Sequence, residues 1–181
     1  MPYKSLFLDR DGVINQRIVG NYVRHWEEWE FLEGALEALV ILARKFNPIV
    51  VVTNQQGVAK GLMTAEDLEQ LHQQMLRAIV AAGGRIDGVY ACMEHERDQP
   101  YCRKPNPGMA WQAKRDFPQI DFKQSIMVGD SVSDLVFGQE LEMRTALLTT
   151  KPDLDQAAYA LVKEKVWGTF PSLYAFSQAI V

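Results

Sequence analysis

The sequence predicts an α/β fold, a doubly wound, Rossmann-like parallel sheet, and three observations lead there. Short apolar runs bounded by turn residues recur along the chain. Amphipathic stretches at helical spacing separate them. No interval between them is long enough to hold a large cap domain. Continuous apolar runs of this kind suit parallel strands covered on both faces, and their alternation with helices marks such a sheet.

The first run is Ser5–Leu8, followed by a long, polar and aromatic stretch from Gln16 to Trp29 that reads as a loop or flap. Glu33 to Lys45 then spaces Leu36, Leu39, Val40 and Ala43 as a helix stripe. Pro48–Val52 is the second strand. The next helix opens at Thr64-Ala65-Glu66-Asp67, a capping arrangement, and closes before Gly83-Gly84. Gly88–Cys92 is the third strand, and an irregular stretch rich in charge and proline, Glu94 to Pro105, follows it. Helices over Pro107–Asp116, Ser131–Leu141 and Pro171–Ala179 accompany strands at Ser125–Val128 and Thr145–Leu148.

Composition narrows the class. The chain has 181 residues, 48% of them hydrophobic and 23% charged, the balance of a globular protein with one sizeable core. One domain over residues 1–181 is expected. Nineteen Lys and Arg against 23 Asp and Glu leave a formal charge of −4, which lacks the footprint of a general nucleic-acid binder. The longest apolar runs, such as Ala38–Ala43, are too short to span a membrane, and Met1–Phe7 has no leader pattern. Cys92 and Cys102 cannot make a disulfide framework. A soluble, cytoplasmic protein is expected.

Ligands of such sheets sit beyond the carboxyl ends of the strands. The first strand ends in Asp9-Arg10-Asp11-Gly12-Val13, where two acids two apart follow a buried run. They hold a cation, act chemically, or form an acidic turn and helix cap. The second ends in Thr53-Asn54, a hydroxyl and an amide suited to a phosphate, or an ordinary turn. Arg103-Lys104-Pro105-Asn106-Pro107 sets two cations beside rigid prolines, as a phosphate grip or a solvated basic loop. Gly129-Asp130-Ser131-Val132-Ser133-Asp134 places further acids at a strand end, as Mg²⁺ ligands or a helix cap.

Taken in order, these segments resemble the four motifs of the haloacid dehalogenase superfamily of phosphotransferases. Tyr22-Val23, Phe31-Leu32-Glu33-Gly34, Thr53-Asn54-Gln55-Gln56-Gly57-Val58-Ala59 and Cys102-Arg103-Lys104-Pro105-Asn106-Pro107-Gly108-Met109 narrow the resemblance. Together they are similar to the histidinol-phosphatase and D,D-heptose 1,7-bisphosphate phosphatase family, over about Leu6 to Asp134. The resemblance implies a phosphate monoester hydrolase acting on a small phosphorylated sugar, first of all D-glycero-D-manno-heptose 1,7-bisphosphate at its 7-phosphate, with histidinol phosphate as the alternative. It implies Asp9 as nucleophile, forming an aspartyl phosphate, and Asp11 as general acid and base. Thr53 and Lys104 stabilise the transferring phosphoryl group, while Asn54 and Arg103 join them in binding substrate. Mg²⁺ is held by Asp9, the Asp11 carbonyl and Asp130, with Asp134 orienting that shell.

The sequence departs from the family in two places. A zinc loop common in the family is reduced here to Cys92, His95 and Cys102, with Pro100 where another Cys is usual; Glu94, Glu96 or Asp98 could complete a four-ligand zinc site, but a metal-free loop is the expectation. Ser131 stands where a Lys often follows the fourth-motif Asp. Trp26 and Trp29 face substrate or pack on the core. Two readings from other classes compete: a receiver-like phosphoacceptor module and an inactive binding protein. A receiver places its phosphoacceptor on a later strand and its paired acids side by side, unlike Asp9 and Asp11. A nucleic-acid 3′-phosphatase fits the chemistry but not the charge of −4. No nucleic-acid or membrane partner is expected, and oligomeric state, anomer preference and pathway stay open.

Overall fold

The structure is a computed structural model that describes residues 3–180; Met1, Pro2 and Val181, the ends of the expected domain, lie outside the described residues. Among the described residues six parallel strands form one sheet: β1 (Ser5–Leu8), β2 (Ile49–Asn54), β3 (Gly88–Cys92), β4 (Ser125–Gly129), β5 (Arg144–Leu148) and β6 (Val166–Phe170). Their order is β3-β2-β1-β4-β5-β6. The order reverses between β1 and β4, and this is where an open α/β sheet leaves a crevice for ligand. Leu8, the last residue of β1, pairs in register with Val51 on β2 and with Val128 on β4, and β2 runs on beyond it to Asn54.

Alternation along the strands divides the core into two layers. Leu6, Leu8, Ile49, Val51, Ile126 and Val128 face one side, packing with α1 (Ala35–Ala43), α2 (Ala65–Ala81) and α6 (Leu173–Ala179). Phe7, Val50, Val52 and Met127 face the other, against α3 (Gly108–Asp116) and α4 (Val132–Glu140). Burial on both faces explains why these strands read as unbroken apolar runs.

The helices follow the expected signals with small shifts. Thr64 and Asp67 form a reciprocal capping box at the start of α2. α1 begins at Ala35 and not at Glu33, because Gly34 caps it with φ of 73°, a left-handed conformation. β2 runs on through Thr53 and Asn54, which are its last two residues. Two elements, α5 (Gln156–Val162) and β6, are absent from the sequence reading. Neither has a fully buried residue, and β6 is an edge strand whose Val-Trp-Gly-Thr-Phe run is half exposed. Search for continuous apolar runs passes over such a strand.

The segment from Gln16 to Trp29 is anchored at its aromatic end. Trp26 and Trp29 stack with centroids 5.6 Å apart and pack against the first core layer. They serve packing, and the polar half of the segment is left to face the sheet ends.

Candidate active site

The carboxyl ends of β1, β2 and β4 open into a cavity of about 620 Å³, lined among others by Asp9, Asp11, Thr53, Arg103, Lys104 and Asp134. Asp9 follows β1 directly, 7% exposed, and its backbone N–H is fixed by the carbonyl of Val128. Both of the close contacts to its carboxylate fall on Oδ1. The Arg10 N–H donates to it at 2.8 Å, and Lys104 Nζ lies 2.9 Å away. Lys104 is 3% exposed and also sits 2.6 Å from Asp134 Oδ1. Burial opposes its charge, yet Asp134 and Asp9 outweigh that and raise its pKa, so the ammonium is secure.

Asp9, Asp130 and Asp134 bring carboxylate oxygens within 4.8 Å of one another. Burial, then repulsion from Asp134, pushes Asp9 up to about 7 despite Lys104. Burial and Asp134 likewise push Asp130 up to about 6. Three crowded acids facing one lysine form a donor set of hard oxygens that suits a small divalent cation. Arg17 shows where positive charge is wanted. Its Nη2 donates to Asp130 Oδ1 at 2.7 Å, Asp130 Oδ2 at 2.8 Å and the Asp11 carbonyl at 3.2 Å. Asp134 is placed differently: Oδ2 accepts from the Ser131 N–H and hydroxyl, while Oδ1 meets Lys104.

Gly12 makes this approach feasible. Its φ is +85°, and a Cβ there would lie 1.9 Å from Asp130 Oδ2. Only glycine fits both the conformation and the space.

Asp11 points into a different set of partners. Arg10 Nη2 donates to both of its oxygens at 3.0 Å, Asn15 Nδ2 reaches Oδ1 at 2.9 Å, and Gln55 Nε2 reaches Oδ2 at 2.7 Å. Burial raises its pKa, but Arg10 and these donors prevail and lower it. Thr53 is buried, and its hydroxyl accepts from Gln55 at 2.8 Å. Asn54 spends its amide on Lys104: Nδ2 donates to the Lys104 carbonyl, and Oδ1 accepts from the Lys104 N–H. Arg103 pairs with Glu96 at 3.3 Å, while its Nη1 is buried with no protein partner.

The structure therefore gathers Asp9, Asp11, Thr53, Asn54, Arg103, Lys104, Asp130 and Asp134 around one cavity or against its walls. It corrects the zinc candidates. Cys92 and Cys102 are joined to each other in a disulfide, and sulfur so bonded is not a thiolate ligand. His95 instead caps a short 3-10 turn, its Nδ1 accepting from the Arg97 N–H. Arg17, Asn15, Gln55 and His72 are the participants that sequence reading missed. Gln55 adjoins the Thr53-Asn54 pair and Asn15 the first motif, so both were within reach; Arg17 and His72 carried no local signal.

Comparison with known proteins adds an independent line. The family model described as polynucleotide kinase 3 phosphatase matches residues 5–162. A D-glycero-alpha-D-manno-heptose-1,7-bisphosphate 7-phosphatase of Mycobacterium bovis is 48% identical over 130 residues, which are 72% of this chain and 68% of the relative. A D-glycero-beta-D-manno-heptose-1,7-bisphosphate 7-phosphatase of Vibrio cholerae is 38% identical over 165 residues, 86% of this chain and 87% of the relative. The crystal structure of a D,D-heptose 1,7-bisphosphate phosphatase from B. bronchiseptica, complexed with magnesium and phosphate, superposes with a TM-score of 0.88 at 31% identity. It covers 98% of this chain and 97% of that one.

Proposed function

Since the chain belongs to the polynucleotide kinase 3 phosphatase family of haloacid dehalogenase phosphatases, in company with heptose 1,7-bisphosphate 7-phosphatases, we propose that it removes the 7-phosphate of D-glycero-D-manno-heptose 1,7-bisphosphate. The observation that carries this reading is the buried Asp9, met on Oδ1 by Lys104 at 2.9 Å, at the head of a cavity walled by further cations.

In the mechanism this supports, Oδ2 of Asp9 attacks phosphorus, the ester P–O bond breaks, and an aspartyl phosphate forms. Asp11 gives its proton to the departing alkoxide and then takes one from the water that hydrolyses the intermediate. A phosphate dianion entering beside Asp11 raises its proton affinity, which favours the acid form when it is needed. Lys104 and the Thr53 hydroxyl meet charge on the transferring group. Arg103 offers its unpartnered Nη1 to substrate. Asn54 holds the Lys104 backbone in place as well as lining the cavity.

The acidic cluster fits Mg²⁺, which Asp9, the Asp11 carbonyl and Asp130 would hold while Asp134, engaged by Ser131 and Lys104, orients the set. Bound there, the ion neutralises the repulsion between carboxylate and phosphate. Arg17 would yield Asp130 and the Asp11 carbonyl to it.

The test is phosphate release from both anomers of heptose 1,7-bisphosphate, histidinol phosphate, fructose 1,6-bisphosphate and a 3′-phosphorylated oligonucleotide, each with Mg²⁺ and with EDTA. The expected result is Mg²⁺-dependent release, fastest from a heptose ester, and loss of turnover in Asp9→Asn. Preference for histidinol phosphate or the oligonucleotide would replace the substrate. Activity retained by Asp9→Asn, free of contaminating phosphatase, would remove the nucleophile.

A further inference from the structure

Arg10, between the two acids of the first motif, is fully buried at 0% exposure. A buried guanidinium is rare and needs its charge answered. Asp11 answers it, with Nη2 3.0 Å from each carboxylate oxygen. The other terminal nitrogen, Nη1, lies 3.0 Å from Nε2 of His72, a residue on α2 that is 5% exposed. The Trp29 ring covers the guanidinium at 5.6 Å. Arg10 is thus gripped from α2, from the aromatic anchor and from Asp11.

We infer that Arg10 and His72 are positioning residues that aim the Asp11 carboxylate at the leaving-group oxygen. The inference rests on the reading of Asp11 as general acid and extends it to residues that touch no substrate.

The chemistry of the pair favours this role over plain packing. Arginine only donates, so His72 Nε2 accepts and its proton sits on Nδ1. Burial first, and the Arg10 charge second, push His72 down to about 3, so the ring is neutral throughout the working range. A neutral acceptor fixes Nη1 in space without drawing the guanidinium away from Asp11; an acid at position 72 would compete for it. Arg10 Nε is also buried with no partner. Apolar side chains of similar volume commonly replace buried ion pairs without loss of stability, so core packing alone does not call for this arrangement.

Leaving-group dependence separates aim from stability. An alkoxide needs a proton as it departs, whereas p-nitrophenolate leaves without one. The assay compares kcat/KM for heptose 1,7-bisphosphate with kcat/KM for p-nitrophenyl phosphate, in wild type, His72→Leu, His72→Gln and Asp11→Asn. This constant ends at the first irreversible step, and the ratio of two esters on one preparation is independent of the folded fraction. Asp11→Asn should lower the alkyl-to-aryl ratio by about 100-fold, the range of general acid catalysis. His72→Leu should lower it at least about tenfold, as expected for an acid misplaced by a fraction of an ångström. His72→Gln, which restores an acceptor, should recover it to within about threefold. A skewed ratio in Asp11→Asn with an unchanged ratio in His72→Leu overturns the inference and leaves Asp11 as the acid. An unchanged ratio in Asp11→Asn overturns the reading of Asp11 itself, and the inference with it.

Discussion

Replacing Lys104 by Met keeps the length of the side chain and removes the one ammonium among three buried acids. The Nζ lies 2.9 Å from Asp9 and 2.6 Å from Asp134, with the side chain 2% exposed. At an effective dielectric constant of about 20, each contact is worth roughly 6 kcal/mol of Coulomb energy before desolvation is subtracted. Breaking a buried pair by removing one partner costs about 3–5 kcal/mol net. For a chain of this size that is a fall in Tm of about 6–20 °C. Asp9 sets the pH dependence. Its folded pKa of about 7 stands above the ordinary 3.8, so its ionised form costs stability, a cost absent at low pH and complete above about 7. Loss of Lys104 raises that pKa further. The gap between variant and wild type is therefore largest near pH 8 and narrows as both forms of Asp9 take up a proton near pH 6. Thermal melts in EDTA at the two pH values measure it. A variant that melts with wild type at pH 8, or a gap that widens on acidification, would refute the electrostatic account of Lys104.

Two further outcomes follow from geometry. Gly12→Ala sets a Cβ 1.9 Å from Asp130 Oδ2 at a positive φ, so Asp130 must move; kcat/KM with saturating Mg²⁺ should fall about 100-fold, and full activity would show that the first turn relaxes freely. Thiol titration of the denatured protein should find no free thiol without reductant and two with it; two free thiols before reduction would return Cys92 and Cys102 to the unpaired state.

The legible part of this molecule is the part written in contiguous residues. Leu6, Val51 and Val128 lie on strands buried from both sides, so their runs are unbroken and the functional side chains stand where the runs stop. Asp9, Thr53 and Asp130 could be found in that way, because a polar residue closing a buried strand needs a partner, in a ligand, in solvent or in another polar group of the chain. Asp134 follows from helix geometry, one turn beyond Asp130. The illegible part depends on long closures. Arg17 meets Asp130 across 113 positions, and His72 meets Arg10 across 62. No local pattern distinguishes such an Arg or His from a surface residue. The same limit hid β6, whose stability comes from pairing with β5 and not from its own apolar content. It also left Cys92 and Cys102 open to a metal reading, since a sequence separation of 10 suits either a zinc loop or a bridge.

Net charge alone does not describe the cavity, where both signs meet at close range. The chain carries −4, and its cavity is lined by Arg17, Lys60, Arg103, Lys104 and Lys151 together with Asp9, Asp11, Asp134 and Asp153. Lys104 is answered inside the site by Asp9 and Asp134, and Arg17 by Asp130. Arg103 is answered only on one side, by Glu96, and keeps a buried nitrogen without a partner. Among the described residues Lys60 and Lys151 form no ion pair, so with the free side of Arg103 they are the positive groups left to attract an anion. Ser131 bonds Asp134 and brings no charge to the cavity, so its positive groups come from the flap, from the loops after β2 and β5, and from Arg103 and Lys104.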